Sequence, residues 1–228
     1  MKRISIIIPV LNEAAALRAH LPLLQPFRSA GHEVILVDGG SVDGSADLAS
    51  GLVDVVVTSE PGRARQMNAG AEVANGEILL FLHIDTLLPE DALAQIQSAL
   101  GKLSAMWGHF DVRLSGDKAV FRLIGFMMNL RSRVSGVATG DQGIFVRTAV
   151  FRRVGGFADI PLMEDVALSK TLRRIASPVC LRVRVITSSR RWEKHGVLRT
   201  VFLMWWLRLL YFVDVAPQSL HAMYVKKK

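Results

Sequence analysis

The run Ile4-Ser5-Ile6-Ile7-Ile8-Pro9-Val10-Leu11-Asn12-Glu13 begins as an apolar, β-branched segment and turns polar at Asn12. Residues 4–9 read as a buried strand. Ser5 and Pro9 interrupt the apolar run and no small-residue cleavage site follows it, so it is a strand and not a signal peptide. Working outward, a helix is expected over about 14–24 and a second strand over 34–37, followed by the turn-rich Asp38-Gly39-Gly40-Ser41-Val42-Asp43-Gly44-Ser45. Residues 53–58 read as a third strand, 64–74 as a helix, and 78–82 as a fourth strand. A further helix is expected with Pro89 in its first turn, where the missing N–H is no loss. Continuous β-branched and Leu runs separated by helices signal parallel strands covered on both faces, hence an α/β fold.

Past Gly101 the pattern changes. Strands are expected over 106–114, 143–146 and 179–186, an amphipathic helix over 121–134, and a helix over 163–175 after Pro161. No Pro/Gly/Ser linker divides the chain. It reads as one domain over 1–196, with halves of about 1–100 and 101–196, followed by an amphipathic helix and basic tail over 197–228.

The chain has 228 residues, half of them hydrophobic, which suits one domain with a sizeable core. Charged residues at 21% and aromatics at 7% are ordinary, which excludes wholesale disorder. The one cysteine, Cys180, excludes an internal disulfide framework and a cysteine-rich zinc site, and a reducing, cytoplasmic setting is the default. Net charge is +8, unevenly spread: residues 170–228 hold 13 Lys and Arg against 2 Asp and Glu, whereas residues 1–169 hold 15 against 18. Such asymmetry points to an anionic partner for the last quarter, or to a merely solvated basic face. No nucleic-acid recognition module accompanies the charge, so nucleic-acid binding is not expected.

In an open α/β sheet, ligands bind outside the carboxyl ends of the strands. Glu13, Asp38 and Asp85 each fall at such an end, so all three are expected to face one crevice. Asp43 reads equally as a turn-forming Asx residue or as part of the site. Alternation along 81–86 puts His83 and Asp85 on one face, and imidazole plus carboxylate at that spacing could hold a divalent cation, Mn²⁺ tolerating nitrogen better than Mg²⁺.

Four motifs in order then carry a resemblance. They are Ile6-Ile7-Ile8-Pro9-Val10-Leu11-Asn12-Glu13; Val37-Asp38-Gly39-Gly40-Ser41-Val42-Asp43-Gly44-Ser45; Asn68-Ala69-Gly70; and the stretch from Gly76-Glu77 to His83-Ile84-Asp85. Together they resemble the family-2 glycosyltransferases of GT-A fold, a Rossmann-like, mostly parallel nucleotide-binding sheet with helices on both faces. The likeness continues through Val154-Gly155-Gly156-Phe157 and Met163-Glu164-Asp165, covering roughly residues 3–192. It implies that Pro9, Glu13, Asp38, Arg63 and Asn68 bind the nucleotide, with Arg65 a rival to Arg63. It implies that Asp85, with His83, holds Mn²⁺ or Mg²⁺ and the donor diphosphate. Within Glu164-Asp165, it makes Asp165 the general base. Arg191 and Trp192 would clamp the diphosphate.

Two departures bear on function. His83 stands where the family usually has aspartate, which touches the metal's identity. Ser188 stands at the glutamine position of the Gln-x-x-Arg-Trp motif, of which Arg191-Trp192 remain, so transfer of a single sugar is expected in place of polymerisation. Asp165 opens a helix, whose dipole favours its ionised form, and direct displacement with one base inverts the anomeric carbon. Asp141 and Gln142, in a polar turn, are candidates for contact with acceptor or diphosphate because amide and carboxylate recognise hydroxyls. Gly155-Gly156 is expected to make a tight turn aiming Glu164-Asp165.

Residues 197–217 are strongly apolar but interrupted by Arg199, Arg208 and Asp214, which argues against a spanning helix. The readings left are an interfacial helix at the inner face of a membrane, where a lipid-linked acceptor would be met, or a helix packed on the domain or a partner subunit. The donor reads as a UDP- or GDP-sugar. Against this stand a nucleotidyltransferase, disfavoured by the absence of a glycine-rich cationic loop after the first strand, and a non-catalytic sugar-nucleotide-binding protein, disfavoured by the presence of Asp85 and Asp165.

Overall fold

In the computed structural model, which describes residues 2–226, the first half runs β1 (Ile4–Val10), α1 (Ala14–His20), α2 (Gln25–Ser29), β2 (Glu33–Asp38), α3 (Ser45–Ala49), β3 (Val55–Thr58), α4 (Arg63–Val73), β4 (Ile78–Phe81), β5 (Thr86–Leu87) and α5 (Ala92–Ala99). The second half runs β6 (Trp107–Leu114), α6 (Ala119–Ser135), β7 (Ile144–Arg147), α7 (Thr148–Arg153), α8 (Glu164–Arg173), β8 (Val179–Thr187), α9 (Arg190–His195), α10 (Val197–Phe212) and α11 (Pro217–Lys226). One eight-stranded sheet is ordered β3-β2-β1-β4-β7-β6-β8-β5.

β1 pairs in parallel with β2 and with β4, and β2 in parallel with β3, so the first half is the parallel sheet expected of it. β7 then enters antiparallel between β4 and β6, while β8 lies parallel to β6. The strand alternation seeds two cores. Ile4, Ile6, Ile8 and Val10 pack with Leu17, Leu21, Leu93 and Ile96 on one face. Ile7, Ile35 and Val37 pack with Met67, Phe151, Leu168 and Leu172 on the other. Burying each such side chain contributes about 1.5–3 kcal/mol.

β7 pairs only with residues 107–109 of β6, which leaves the backbone of Val112 in need of a partner. Asn129 of α6 supplies it: Val112 N–H donates to its Oδ1 (2.8 Å) and its Nδ2 donates to Val112 O (3.0 Å). A side-chain amide thus continues the sheet's hydrogen bonding and fixes α6 along the strand edge.

Three boundaries differ from the sequence expectation. The helix expected over 14–24 is broken: α1 stops at His20, a 3₁₀ turn covers Leu21–Leu24, and α2 follows, with Pro22 and Pro26 each opening a new segment because neither can donate a helical hydrogen bond. Pro89 lies ahead of α5, where its carbonyl accepts from Ala92 N–H. The apolar end of the chain forms two helices, α10 and α11, and packs on its own domain: Leu207 and Leu220 are fully buried with Val137, Met163 and Val166. Lys227 and Lys228 of the basic tail lie outside the described residues.

Gly108 permits β6 to approach β8 and β7. A Cβ there would strike Val179 O and sit 2.6 Å from the Phe145 ring. Gly108→Ala is therefore expected to cost about 1–3 kcal/mol, read as a thermal-melt midpoint lowered by roughly 2–4 °C per kcal/mol in a chain of this size.

Candidate active site

After a last bond from Gly39 N–H to Val10 O (2.9 Å) the first two strands part, and Gln66 of α4 closes the gap. Its Nε2 donates to Val10 O (2.7 Å) and Val37 O (2.9 Å), and the side chain is buried against Gly39. The loops that follow interlock. Asn12, at φ 55°, donates its N–H to Ser41 Oγ and accepts from Val42 N–H, while Glu13 N–H donates to Ser45 Oγ. Asp43 takes the structural part of its two readings. It accepts from Ala14 N–H and from the N–H and Oγ–H of Ser45, and these bonds, that of the Ser45 side chain foremost, lower its pKa.

Asp38 is buried at this edge. Its Oδ2 accepts from Gly40 and Ser41 N–H at 3.1 and 3.0 Å; its Oδ1 is buried with no partner. Half-buried Pro9 neighbours it on β1. Glu13 and Asp85 face each other across one guanidinium: Arg190 Nη2 lies 3.8 Å from Glu13 Oε2 and 3.6 Å from Asp85 Oδ2.

The alternation expected for His83 and Asp85 does not apply, because β4 ends at Phe81 and a turn closed by Thr86 N–H to His83 O intervenes. His83 turns instead toward the 3₁₀ turn Gly140–Gln142, with Nδ1 3.3 Å from Asp141 Oδ1 and its ring against Gly140, where a Cβ would fall 2.6 Å from Nε2. Although nearly half of the Asp141 side chain meets solvent, the protein packed around it works to raise its pKa; the His83 hydrogen bond and the charges of His83, Arg63 and Arg191 outweigh that and hold it at about 2.

The same turn meets the start of α8. Gly140 N–H donates to Asp165 Oδ2 (2.8 Å), and Val166 N–H to Asp165 Oδ1 (2.7 Å). Glu164 beside it is buried; burial pushes its pKa up, and the charge of Asp165 adds to the effect against Arg63 and His83. Met163, at φ 70° and buried, sets the entry angle, a strained conformation for a side-chain-bearing residue. Gly155 and Gly156 both have positive φ, as their turn requires.

Five arginines surround these acids. Arg63 acts on Asp141 and Glu164, whereas its rival Arg65 is held by Asp159 at 3.0 Å. Arg191 stacks over Tyr224 of α11 and feels Asp141 and Asp85. Arg131 of α6 and Arg208 of α10 come together near Asp165 and Asp141. Burial, and then Arg208, bring the Arg131 pKa down to about 10, and its Nε and Nη1 have no partner.

Three residues expected in the site are used elsewhere. Gln142 is fully buried: its Nε2 reaches Ser132 Oγ (2.9 Å) and Phe110 O, and its Oε1 accepts from Thr139 and Arg131, so no atom remains for acceptor or diphosphate. Asn68 spends its amide on the N–H and carbonyl of Phe157, at 2.9 Å each, pinning the Gly155-Gly156 turn. Trp192 diverges from Arg191 and packs with Leu114, Phe121 and Ile124. Sequence reasoning in turn did not single out Gln66, Arg131 or Arg208, which the fold brings to the same edge. The available signal was an arginine within apolar helical runs at 131 and 208.

The sequence profile of Glycosyl transferase family 2 matches residues 5–155. The chain belongs to this family. An undecaprenyl-phosphate 4-deoxy-4-formamido-L-arabinose transferase of Aeromonas hydrophila is 31% identical over 163 residues, 64% of this chain and 48% of that protein. A PGL/p-HBAD biosynthesis glycosyltransferase of Mycobacterium bovis is 38% identical over 106 residues, 43% of this chain and 41% of that protein. This glycosyl transferase family 2 chain thus spans about half the length of these curated relatives or less. Its fold is that of the GT-A mannosyltransferase PcManGT of Pyrobaculum calidifontis, solved with GDP-Man and Mn²⁺ (TM-score 0.63, 20% identity, 81% of this chain and 56% of that one). It is shared too with glucosyl-3-phosphoglycerate synthase of Mycobacterium tuberculosis, solved with Mn²⁺, UDP and glucosyl-3-phosphoglycerate (TM-score 0.59, 17% identity, 80% and 70%).

Among the described residues no three His, Cys, Asp or Glu side chains form a metal cluster. The residues of this family-2 chain nonetheless fit a cation brought with a diphosphate, since Mg²⁺-type ions use one or two carboxylates plus substrate phosphates, and the Asp85 carboxylate is partly exposed.

For Glu164, a pKa raised on folding means that the unfolded chain loses its proton first, so stability falls as pH rises through that interval. Glu164→Gln is expected to melt above the wild type at pH 8, with the gap closing toward pH 4; an equal gap at both values would contradict the buried-charge account.

Proposed function

We propose that this chain transfers a single sugar from a UDP- or GDP-sugar to an acceptor hydroxyl, with inversion and with the help of Mn²⁺ or Mg²⁺. What supports the reading is the set of groups beyond the sheet edge: the buried, unpartnered Asp38 Oδ1 after β2, Asp85 beside Arg190 and within the field of Arg191, and Asp165 held by Gly140 N–H.

In this reading Asp38 accepts from the base, while Pro9 and Glu13 flank the nucleoside. Arg63 and Arg191 lie along the diphosphate. Asp85, with His83 nearby, would hold the cation, which supplies positive charge against the leaving group. The acceptor oxygen forms its bond to the anomeric carbon as the bond to the diphosphate breaks. The electron pair leaves with the nucleoside diphosphate, and the hydroxyl proton passes to Asp165. Gly140 and Val166 N–H groups fix that carboxylate's orientation. Asp141 contributes by holding His83 and the two arginines in place.

The relatives support the donor class: one structural neighbour was solved with GDP-Man and another with UDP. The Aeromonas relative's name suggests a lipid-linked acceptor, which α10 would meet by lying at a membrane face. Among the described residues no helix is long and apolar enough to cross a membrane.

Calorimetric titration of UDP- and GDP-sugars with Mn²⁺, Mg²⁺ or EDTA tests the reading. One donor is expected to bind only with metal, and Asp85→Ala to lose that binding. Asp165→Asn is expected to keep donor affinity while transfer falls by ~10²–10⁴-fold. Silence from every nucleotide sugar under every condition would dispose of the reading.

A further inference from the structure

Two helices carry apolar stripes that nothing among the described residues covers. On α6, Leu123, Phe126, Met127, Leu130 and Val134 recur at helical spacing and are 40–80% exposed. On α10, Leu198, Phe202, Trp205, Trp206, Leu209 and Phe212 do the same at 44–84%. The helices lie side by side and point the same way: Phe121 and Ile124 pack with Val197 and Val201 near their starts, and Arg131 meets Arg208 further along. At roughly 100° per residue, each stripe sits about a quarter turn from the residues facing the other helix and away from the sheet. The two stripes therefore form one surface.

On the opposite flank of α6 runs a groove of about 870 Å³. Its apolar wall includes Phe126 and Leu130, and its floor and rim carry Arg113, Arg122, Arg182 and Arg184. Arg133 is tied to Asp111 at 2.9 Å. Arg113, Arg182 and Arg184 are exposed on alternating positions of β6 and β8 and form no salt bridge among the described residues. The catalytic crevice uses none of these four groove arginines.

We infer that α6 and α10 together form one docking face for an anionic lipid bilayer, with the arginine groove beside α6 holding lipid phosphates. Charge complementarity selects this occupant. The groove beside the stripes is lined by five arginines, Arg133 among them, against Asp111 and Asp117, and such a surface is drawn to acidic headgroups. A second copy would bring the same excess of positive charge to the contact. Trp205, Trp206 and the phenylalanines suit the headgroup boundary. α10, at 16 residues, is too short to span and lies in the plane. This deepens the α10 membrane contact proposed above, on which it rests.

The test is flotation of the full chain with phosphatidylcholine vesicles and with vesicles also containing phosphatidylglycerol. Four proteins are compared: the wild type, Phe126→Ser with Leu130→Ser, Arg182→Ser with Arg184→Ser, and Trp205→Ser. All the changed side chains are exposed, and thermal melts verify folding. Wild type is expected to float with the anionic vesicles, less so at high salt, and to stay bound in inorganic phosphate at matched ionic strength. The α6 pair is expected to lower the partition coefficient by roughly tenfold or more, and the β8 pair to remove the preference for phosphatidylglycerol. Wild-type-like binding by the α6 pair, with loss in Trp205→Ser, overturns the two-helix face and leaves the α10 contact standing. Folded wild type that never floats overturns both. A dimer in light scattering that the α6 pair splits, without flotation, assigns the face to a second copy. Displacement by free phosphate alone would reduce the groove to a soluble-anion site.

Discussion

The Gln66 side-chain amide is what lets this sheet end in a usable opening. Where parallel strands diverge, their last carbonyls lose neighbours, and an unpaired buried carbonyl costs about 1–3 kcal/mol. One Nε2 satisfies Val37 O and adds a second bond to Val10 O, which already accepts from Gly39 N–H, and it does so from a helix packed beneath both strands. The loops after β1 and β2 can then spend their own polar groups on each other, as Asn12, Ser41, Asp43 and Ser45 do, and Asp38 is left with one oxygen to spare. The opening is therefore built by hydrogen bonds that never touch a ligand.

Charge balance governs the rest of the crevice. Glu13, Asp85, Asp141, Glu164 and Asp165 converge there from four segments of the chain, and would repel one another without counter-charge. Arg190 bridges the first two, Arg63 and Arg191 bear on Asp141, and Arg131 with Arg208 stand behind Asp165. The arginines outlast their local partners: two nitrogens of Arg131 remain unpaired. Such an arrangement carries positive charge that its own acids do not use up.

Much of this was legible in the residues, and the limits are physical. β-branched runs announce strands, and Glu13, Asp38 and Asp85 at strand ends were correctly placed along one edge because parallel pairing forces it. Gln142 and Asn68 misled because an amide beside glycines looks the same whether it serves a ligand or a backbone; only the depth of Gln142 distinguishes them. His83 misled because periodicity continues past Phe81 in the sequence whereas hydrogen bonding stops there. Arg208 was read as a charge that keeps α10 out of a membrane core. Its position is better explained by the inward face of that helix, where it meets Asp165. Long-range juxtapositions of this kind have no local signature.

The place of β7 governs how the chain must fold. This strand follows β6 in sequence yet inserts between β4 and β6, making its pairs across some 65 residues on one side. Loop closure over such distances is slow, and the sheet's middle cannot zip until both flanks exist. The parallel β3-β2-β1-β4 block can gather early from nearby segments, but its β4 edge stays bare until residues 144–147 arrive. The seam that brings Asp141 to His83 therefore forms late, and the β5–β8 pair, joining Thr86 to Thr187, has farther still to reach. The contact between Asp141 and His83 is accordingly a late event in folding, and a ribosome-bound chain can gather its parallel block well before that contact is made.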